Sequence, residues 1–69
     1  MSDSVYKRIE LVGTSEESWE DAARKAVERA SRSLRDLGVA EVQELDMQIE
    51  DGQVRAYRAR VMVSFKYEG

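Results

Sequence analysis

A chain with no histidine and no cysteine has few chemistries open to it. It cannot build thiolate or imidazole metal sites, a redox dithiol, or a general base with an unperturbed pKa near neutrality. What remains is oxygen chemistry and guanidinium chemistry. Glu44 and Asp46 are the acidic pair best placed to share a ligand, because residues two apart on an extended strand project to one face; Glu41 is next. Calcium takes about six to eight oxygens, so these carboxylates would need symmetry-related copies to complete a site. The plainer reading of the same residues is a row of solvated strand carboxylates. The stretch Asp46 to Asp51 lacks the ligand spacing of an EF-hand loop. Glu16, Glu17 and Glu20 form a second acidic group, already explained as complements to a helix N-terminus.

Arg55, Arg58 and Arg60 are the basic cluster of the same region. Arg58 and Arg60 share a strand face, where they can clamp a phosphate-bearing ligand or pair with carboxylates such as Glu41 or those of a neighbouring subunit; ion pairing is the favoured reading. Ser64 and Lys66 have the spacing of a Ser–Lys pair on a strand, but no oxyanion-hole motif surrounds them. No catalytic residue is assigned, and the chain is read as a non-enzyme. Eleven basic against 14 acidic residues give a net charge of −3 with signs interleaved, which disfavours nucleic acid. No apolar run approaches the roughly 20 residues of a membrane span, and the Met1-Ser2-Asp3-Ser4 start lacks the features of a signal peptide. A cytoplasmic location is expected, although absence of cysteine also suits export.

These side chains must be positioned by one small domain, residues 1–69, in which 42% hydrophobic and 36% charged residues mark a folded chain. Val5 to Val12 alternates as a first strand. Gly13-Thr14-Ser15 breaks that pattern, and Thr14-Ser15-Glu16-Glu17 has capping-box spacing. Trp19, Ala22, Ala23, Ala26, Val27, Ala30, Leu34 and Leu37 then form a helical stripe that Gly38 stops. Alanine in mid-stripe lets the helix lie close to a sheet, with Trp19 as a core anchor. Val39 to Glu50 and Gln53 to Tyr67 read as two long strands joined by a type I′ turn at Asp51-Gly52.

That turn predicts Val42 opposite Val61 and Ala40 opposite Val63, with Phe65 completing a face for the helix. Farther out the same register puts Leu45, Met47 and Ile49 opposite Arg58, Ala56 and Val54, on the other face. A bulge near Gln43-Glu44 is the alternative, returning those residues to the core face. Either arrangement leaves apolar surface that one helix cannot cover. Self-association is the simplest remedy for a chain this short, through the surface carrying Leu45, Met47, Ile49, Val54 and Met62.

The order β-α-β-β meets specific residues. Val5-Tyr6-Lys7, Glu10 to Ser15, Ser18-Trp19, Ala26, Arg29-Ala30, Ala40-Glu41-Val42, Tyr57, and Val61, Val63 and Phe65 together resemble the dodecin family along nearly the whole chain. The resemblance implies an α+β fold, a three-stranded antiparallel sheet wrapped on one helix, assembled as a hollow homododecamer. It also implies a flavin site in which a tryptophan before Ala-Glu-Val stacks on the isoalloxazine and a glutamine after the third-strand tyrosine touches it.

Here those two places hold Val39 and Arg58, with Glu41, Gln43, Leu45 and Arg60 beside them. Valine offers no π surface, so classical flavin binding is expected to be weak. Ser18-Trp19-Glu20, Val39-Ala40, Glu44 to Met47 and Val63 to Lys66 look more like actinobacterial dodecins described as calcium-binding. That resemblance implies a divalent cation, calcium, as the favoured ligand. It transfers no ligand set, and Glu44, Asp46 and Glu41 are assigned from the residues themselves. Flavin sequestration, or an interaction module without a small ligand, are the alternatives.

Overall fold

The computed structural model describes residues 4–67, so the Met1-Ser2-Asp3 part of the start lies outside the described residues. Strand β1 (Tyr6–Ser15), helix α1 (Trp19–Ala30), β2 (Leu37–Glu50) and β3 (Gln53–Lys66) follow in that order, giving an α+β, β-α-β-β chain. The sheet is antiparallel with order β1-β3-β2, so the C-terminal strand is central and the other two are edges. Among the described residues, no helix is long and apolar enough to cross a membrane.

The first strand runs past the expected stop. Gly13 does not break it: β1 stays paired to β3 through Ser15↔Tyr57. Gly13 instead lets α1 come close, since a Cβ there would lie 2.1 Å from the carbonyl oxygen of Ala22 and 3.1 Å from the Cβ of Ala26. With Thr14 held in the strand, the Thr14 capping box does not form. Ser18 caps the helix, its Oγ accepting from the Asp21 amide at 3.0 Å.

The other end also differs from expectation. The helix stops at Ala30, eight residues before Gly38, because the Arg32 and Ser33 amides turn back to the Arg29 and Ala30 carbonyls in the tighter i→i+3 pattern. Ser31 Oγ donates to the Glu28 carbonyl at 2.8 Å, a competition for backbone that makes serine a weak helix former. Asp36, at φ 59°, then reverses the chain, and Leu37 and Gly38 belong to β2.

Alanines and valines form the core. Ala22 and Ala26 pack against Ala59, Val61 and Val63 of β3, with Ile9, Leu11, Ala23, Val27 and Leu37 around them. Trp19 is not a deep anchor. It is half-buried, sets its ring 5.0 Å edge-on from Tyr57, and donates its indole N–H to the Asp46 carbonyl at 2.9 Å, pinning the helix start to β2.

The hairpin turn is as expected, with Asp51 at φ 53° and Gly52 at φ 76°, the two positive angles a type I′ turn demands. The register leaving it is not continuous. One shift lies between Gln48 and Ile49, and a second between Val42 and Glu44. Val42↔Val61 and Ala40↔Val63 form as expected. The second shift is the bulge of the alternative reading. Leu45 therefore faces Ala59, and Met47 faces Tyr57, on the helix side. The uninterrupted register, with Leu45 opposite Arg58 and Met47 opposite Ala56, is corrected accordingly.

A buried polar knot joins β1 to α1. Ser15 Oγ donates to Asp21 Oδ2 at 2.7 Å and accepts from the Glu17 amide at 2.9 Å, while Lys25 Nζ and Arg24 Nη2 reach Asp21 at 2.9 and 2.6 Å. The Ser15 hydroxyl first, and then Lys25, hold the Asp21 carboxyl below its ordinary 3.8, at about 2, against the opposing effect of burial. A depressed carboxylate pKa contributes stability that is fully present above the unfolded value and lost as pH falls through the folded one. Melting temperature should therefore fall between about pH 4 and pH 2, and Asp21→Asn should flatten that part of the profile. Gly13→Ala should destabilise by about 1–3 kcal/mol, since the Ala22 backbone cannot yield as a side chain can; urea denaturation measures it.

Candidate functional site

Cross-strand partners share a face, so the pairing defines the surface turned away from α1. Glu10 and Met62 face it together, as do Val39 and Ser64, Glu41 and Met62, Glu44 and Arg60, and Asp46 and Arg58. The sequence-derived carboxylates and arginines thus lie on one surface, but as partners of each other.

Three sets of ion pairs cross that surface. Arg58 makes a fork on Asp46, Nε and Nη2 donating to its two carboxylate oxygens at 2.7 and 2.9 Å. That hydrogen bonding holds the Asp46 carboxyl below the ordinary range and raises Arg58, so both stay charged. Arg60 bridges the whole sheet: Nη2 lies 2.8 Å from Glu44 on β2, and Nε lies 3.1 Å from Glu10 on β1. The Nε approach is misaligned, and that atom is buried without a hydrogen bond. Arg8 of β1 reaches across to Glu41 at 2.7 Å, and Gln43 Nε2 donates to the same oxygen at 3.3 Å.

The uninterrupted register places the two arginines opposite Leu45 and Gln43, with Glu41 as a candidate partner. The bulge at Gln43 shifts β2 by one residue, bringing Glu44 and Asp46 to Arg60 and Arg58 and leaving Glu41 to Arg8. Leu45 moves to the helix side, away from Arg58 and Arg60. Sequence reasoning missed Arg8 and Glu10, because their reach depends on β3 lying between β1 and β2. Arg55 pairs with Glu50 at 2.7 Å near the hairpin tip. Ser64 Oγ donates to the Val39 carbonyl at 3.4 Å.

Two distances limit what one copy can do. Glu44 and Asp46 oppose residues two apart on β3, about 7 Å, whereas Glu41 lies about 13 Å along from Asp46. No group of three acidic side chains suited to a metal occurs among the described residues. Val39 opposes Ser64, six residues along β3 from Arg58, a separation of about 20 Å. A single flavin could not touch both in one chain. Glu41 and Val39 therefore lie too far along the sheet to join Asp46 and Arg58 at one small site within a single copy.

The surface suits assembly. Leu45, Met47, Ile49 and Val54 are exposed on the hairpin arm, with Tyr6, Val12, Val39 and Val42 exposed elsewhere on the strands and Val5 just before β1. This quantity of open apolar surface on so small a body marks an interaction surface.

Comparison with known proteins agrees with the geometry. A calcium dodecin of Mycobacterium tuberculosis is 49% identical over 63 residues, covering 91% of this chain and 89% of that protein. A dodecin of Thermus thermophilus is 44% identical over 64 residues, covering 93% of each. The crystal structure of the calcium-chelating M. tuberculosis protein superposes with a TM-score of 0.84 at 48% identity, over 94% of this chain and 93% of that one. The structure of dodecin from Streptomyces coelicolor superposes with a TM-score of 0.92 at 42% identity, over 100% of this chain and 99% of that one. Residues 5–68 match the family described as Dodecin, and the chain belongs to that family.

Proposed function

We propose that this chain is a non-enzymatic subunit of a hollow homododecamer that binds calcium at carboxylates gathered between copies, with little affinity for flavin. Residues 1–69 act as one domain in this reading. The observation that carries it is the 49% identity to a calcium dodecin, on a chain whose chemistry offers oxygen ligands and no softer ones. Oxygen donors fit calcium, and among the described residues of one copy no three acidic side chains gather to hold it.

Glu44 and Asp46 are the first-choice ligands and Glu41 the next. Each is held by an arginine in the isolated chain, so a cation must compete with Arg60, Arg58 or Arg8 for it. A ligand that binds only the folded assembly stabilises it by mass action, by about 2.7 kcal/mol at a hundred times Kd. Calcium should raise the melting temperature more than magnesium at equal ionic strength. Asp46→Asn or Glu44→Gln should abolish that difference, whereas Arg58→Gln, which frees Asp46, should tighten calcium binding. Isothermal titration with no heat, and no stabilisation at millimolar calcium, would reject the metal reading.

Weak flavin binding follows from Val39 and from an Arg58 already forked on Asp46. A lost aromatic stack removes on the order of 1 kcal/mol per contact. Riboflavin fluorescence should be quenched only at high protein concentration, and Val39→Trp should strengthen the quenching. Tight stoichiometric quenching by the unaltered protein would replace calcium with flavin as the favoured ligand.

A further inference from the structure

Glu44 and Asp46 stand on a stretch of β2 whose ladder is irregular at both ends. The register to β3 slips between Val42 and Glu44 and again between Gln48 and Ile49, so the segment from Glu44 to Gln48 pairs in a register of its own. Ladder bonding is locally disrupted at such points. β2 is also an edge, with no strand on its outer side to steady it.

One side chain from outside the sheet reaches the middle of this segment. Trp19, the first residue of α1, donates its indole N–H to the Asp46 carbonyl at 2.9 Å. Its ring lies 5.0 Å from that of Tyr57 with 69° between the planes, and Tyr57 is the cross-strand partner of Met47. The indole therefore braces neighbouring points on β2 and β3 together. A phenyl ring could make the aromatic contact; the N–H is what indole adds. Because a peptide unit is planar, fixing the Asp46 carbonyl fixes the backbone from which its carboxylate projects to the opposite face, where Arg58 meets it. Carboxylates already held in place lose less freedom on taking a ligand than carboxylates the ligand must order.

We propose that Trp19 is the positioning residue of the cation site: it holds the Glu44–Gln48 segment so that Glu44 and Asp46 present their carboxylates in fixed relation, and it links occupancy of that face to the start of α1. This rests on the calcium reading above and adds to it a residue that holds a ligand rather than being one. The link is reciprocal, so a cation on Asp46 in turn steadies the carbonyl beneath the indole.

Trp19 is the chain's only tryptophan, so its emission reports on this bond without a label. Trp19→Phe keeps a ring beside Tyr57 and deletes the donor. Isothermal titration of the oligomer, shown intact by native mass spectrometry, should find calcium affinity weakened about fivefold, the equivalent of one net hydrogen bond. Val27→Ala, on the same helix but packed against the core, should lower the melting temperature and leave calcium affinity unchanged. In the unaltered protein, Trp19 emission should change on adding calcium and saturate together with the heat. An intact Trp19→Phe oligomer with unaltered calcium affinity would overturn the assignment and leave the calcium reading standing. An equal loss in Val27→Ala would do the same, since the effect would then be general loosening. Should Trp19→Phe fail to assemble, the emission decides: calcium heat with unchanging Trp19 emission refutes the link. Absence of calcium heat in the unaltered protein refutes both the link and the calcium reading.

Discussion

A mismatch of length governs this molecule. Twelve residues of α1 rise roughly 18 Å, whereas the 14 residues of β2 and of β3 extend roughly 46 Å. The helix can cover less than half of the ribbon laid against it. Where it lies, the core is tight enough to require a glycine on β1 and alanines on α1. Beyond Trp19 there is no helix, and side chains that would be core in a larger domain remain open to solvent. The 55 Å long axis records that mismatch.

The second determinant is one inserted residue. Without the bulge at Gln43, Leu45, Met47 and Ile49 would join the charged surface, and Glu44 and Asp46 would turn toward the helix. With it, Leu45, Met47 and Ile49 fall on the helix side, and Glu44 and Asp46 meet Arg60 and Arg58. A single register shift thus separates an apolar arm face from a charged sheet face, and both functions proposed for the chain depend on that separation. Trp19 reinforces it, because its indole N–H holds the Asp46 carbonyl only a few residues beyond the bulge.

Much of this was legible in the sequence, and the exceptions have physical causes. The Asp51-Gly52 turn was read correctly because type I′ geometry asks for residues that accept positive φ. Val42↔Val61 and Ala40↔Val63 followed from it, since two register shifts in the same hairpin cancel by that point. The pairs between the shifts did not follow, because a bulge displaces a ladder without a composition of its own; at Gln43 the change of apolar phase was its only trace. The helix ends were misread for a different reason. Thr14 and Ser18 are both good caps, and the choice between them was made by β1 remaining paired to Ser15. Of the candidate site residues, Glu44 with Asp46, and Arg58 with Arg60, each share a strand face as alternation requires, but only the bulge brings the two pairs to the same surface. Their pairings were not legible, because reach across the sheet depends on strand order, which local patterns do not encode.

The arginine-paired carboxylates also bear on why such a surface would accept a cation only in the assembly. In one copy, Asp46, Glu44 and Glu41 are each balanced by a guanidinium, and a divalent ion gains little by displacing it. Each copy nevertheless carries a net charge of −3, and copies brought together on a closed shell accumulate that excess within a Debye length of one another. Their mutual repulsion opposes assembly, and a divalent ion at the proposed site between copies would relieve it. On the site proposed above, affinity for a hard cation would belong to the interface rather than to any one strand, and assembly would be what makes the acidic sheet a binding surface.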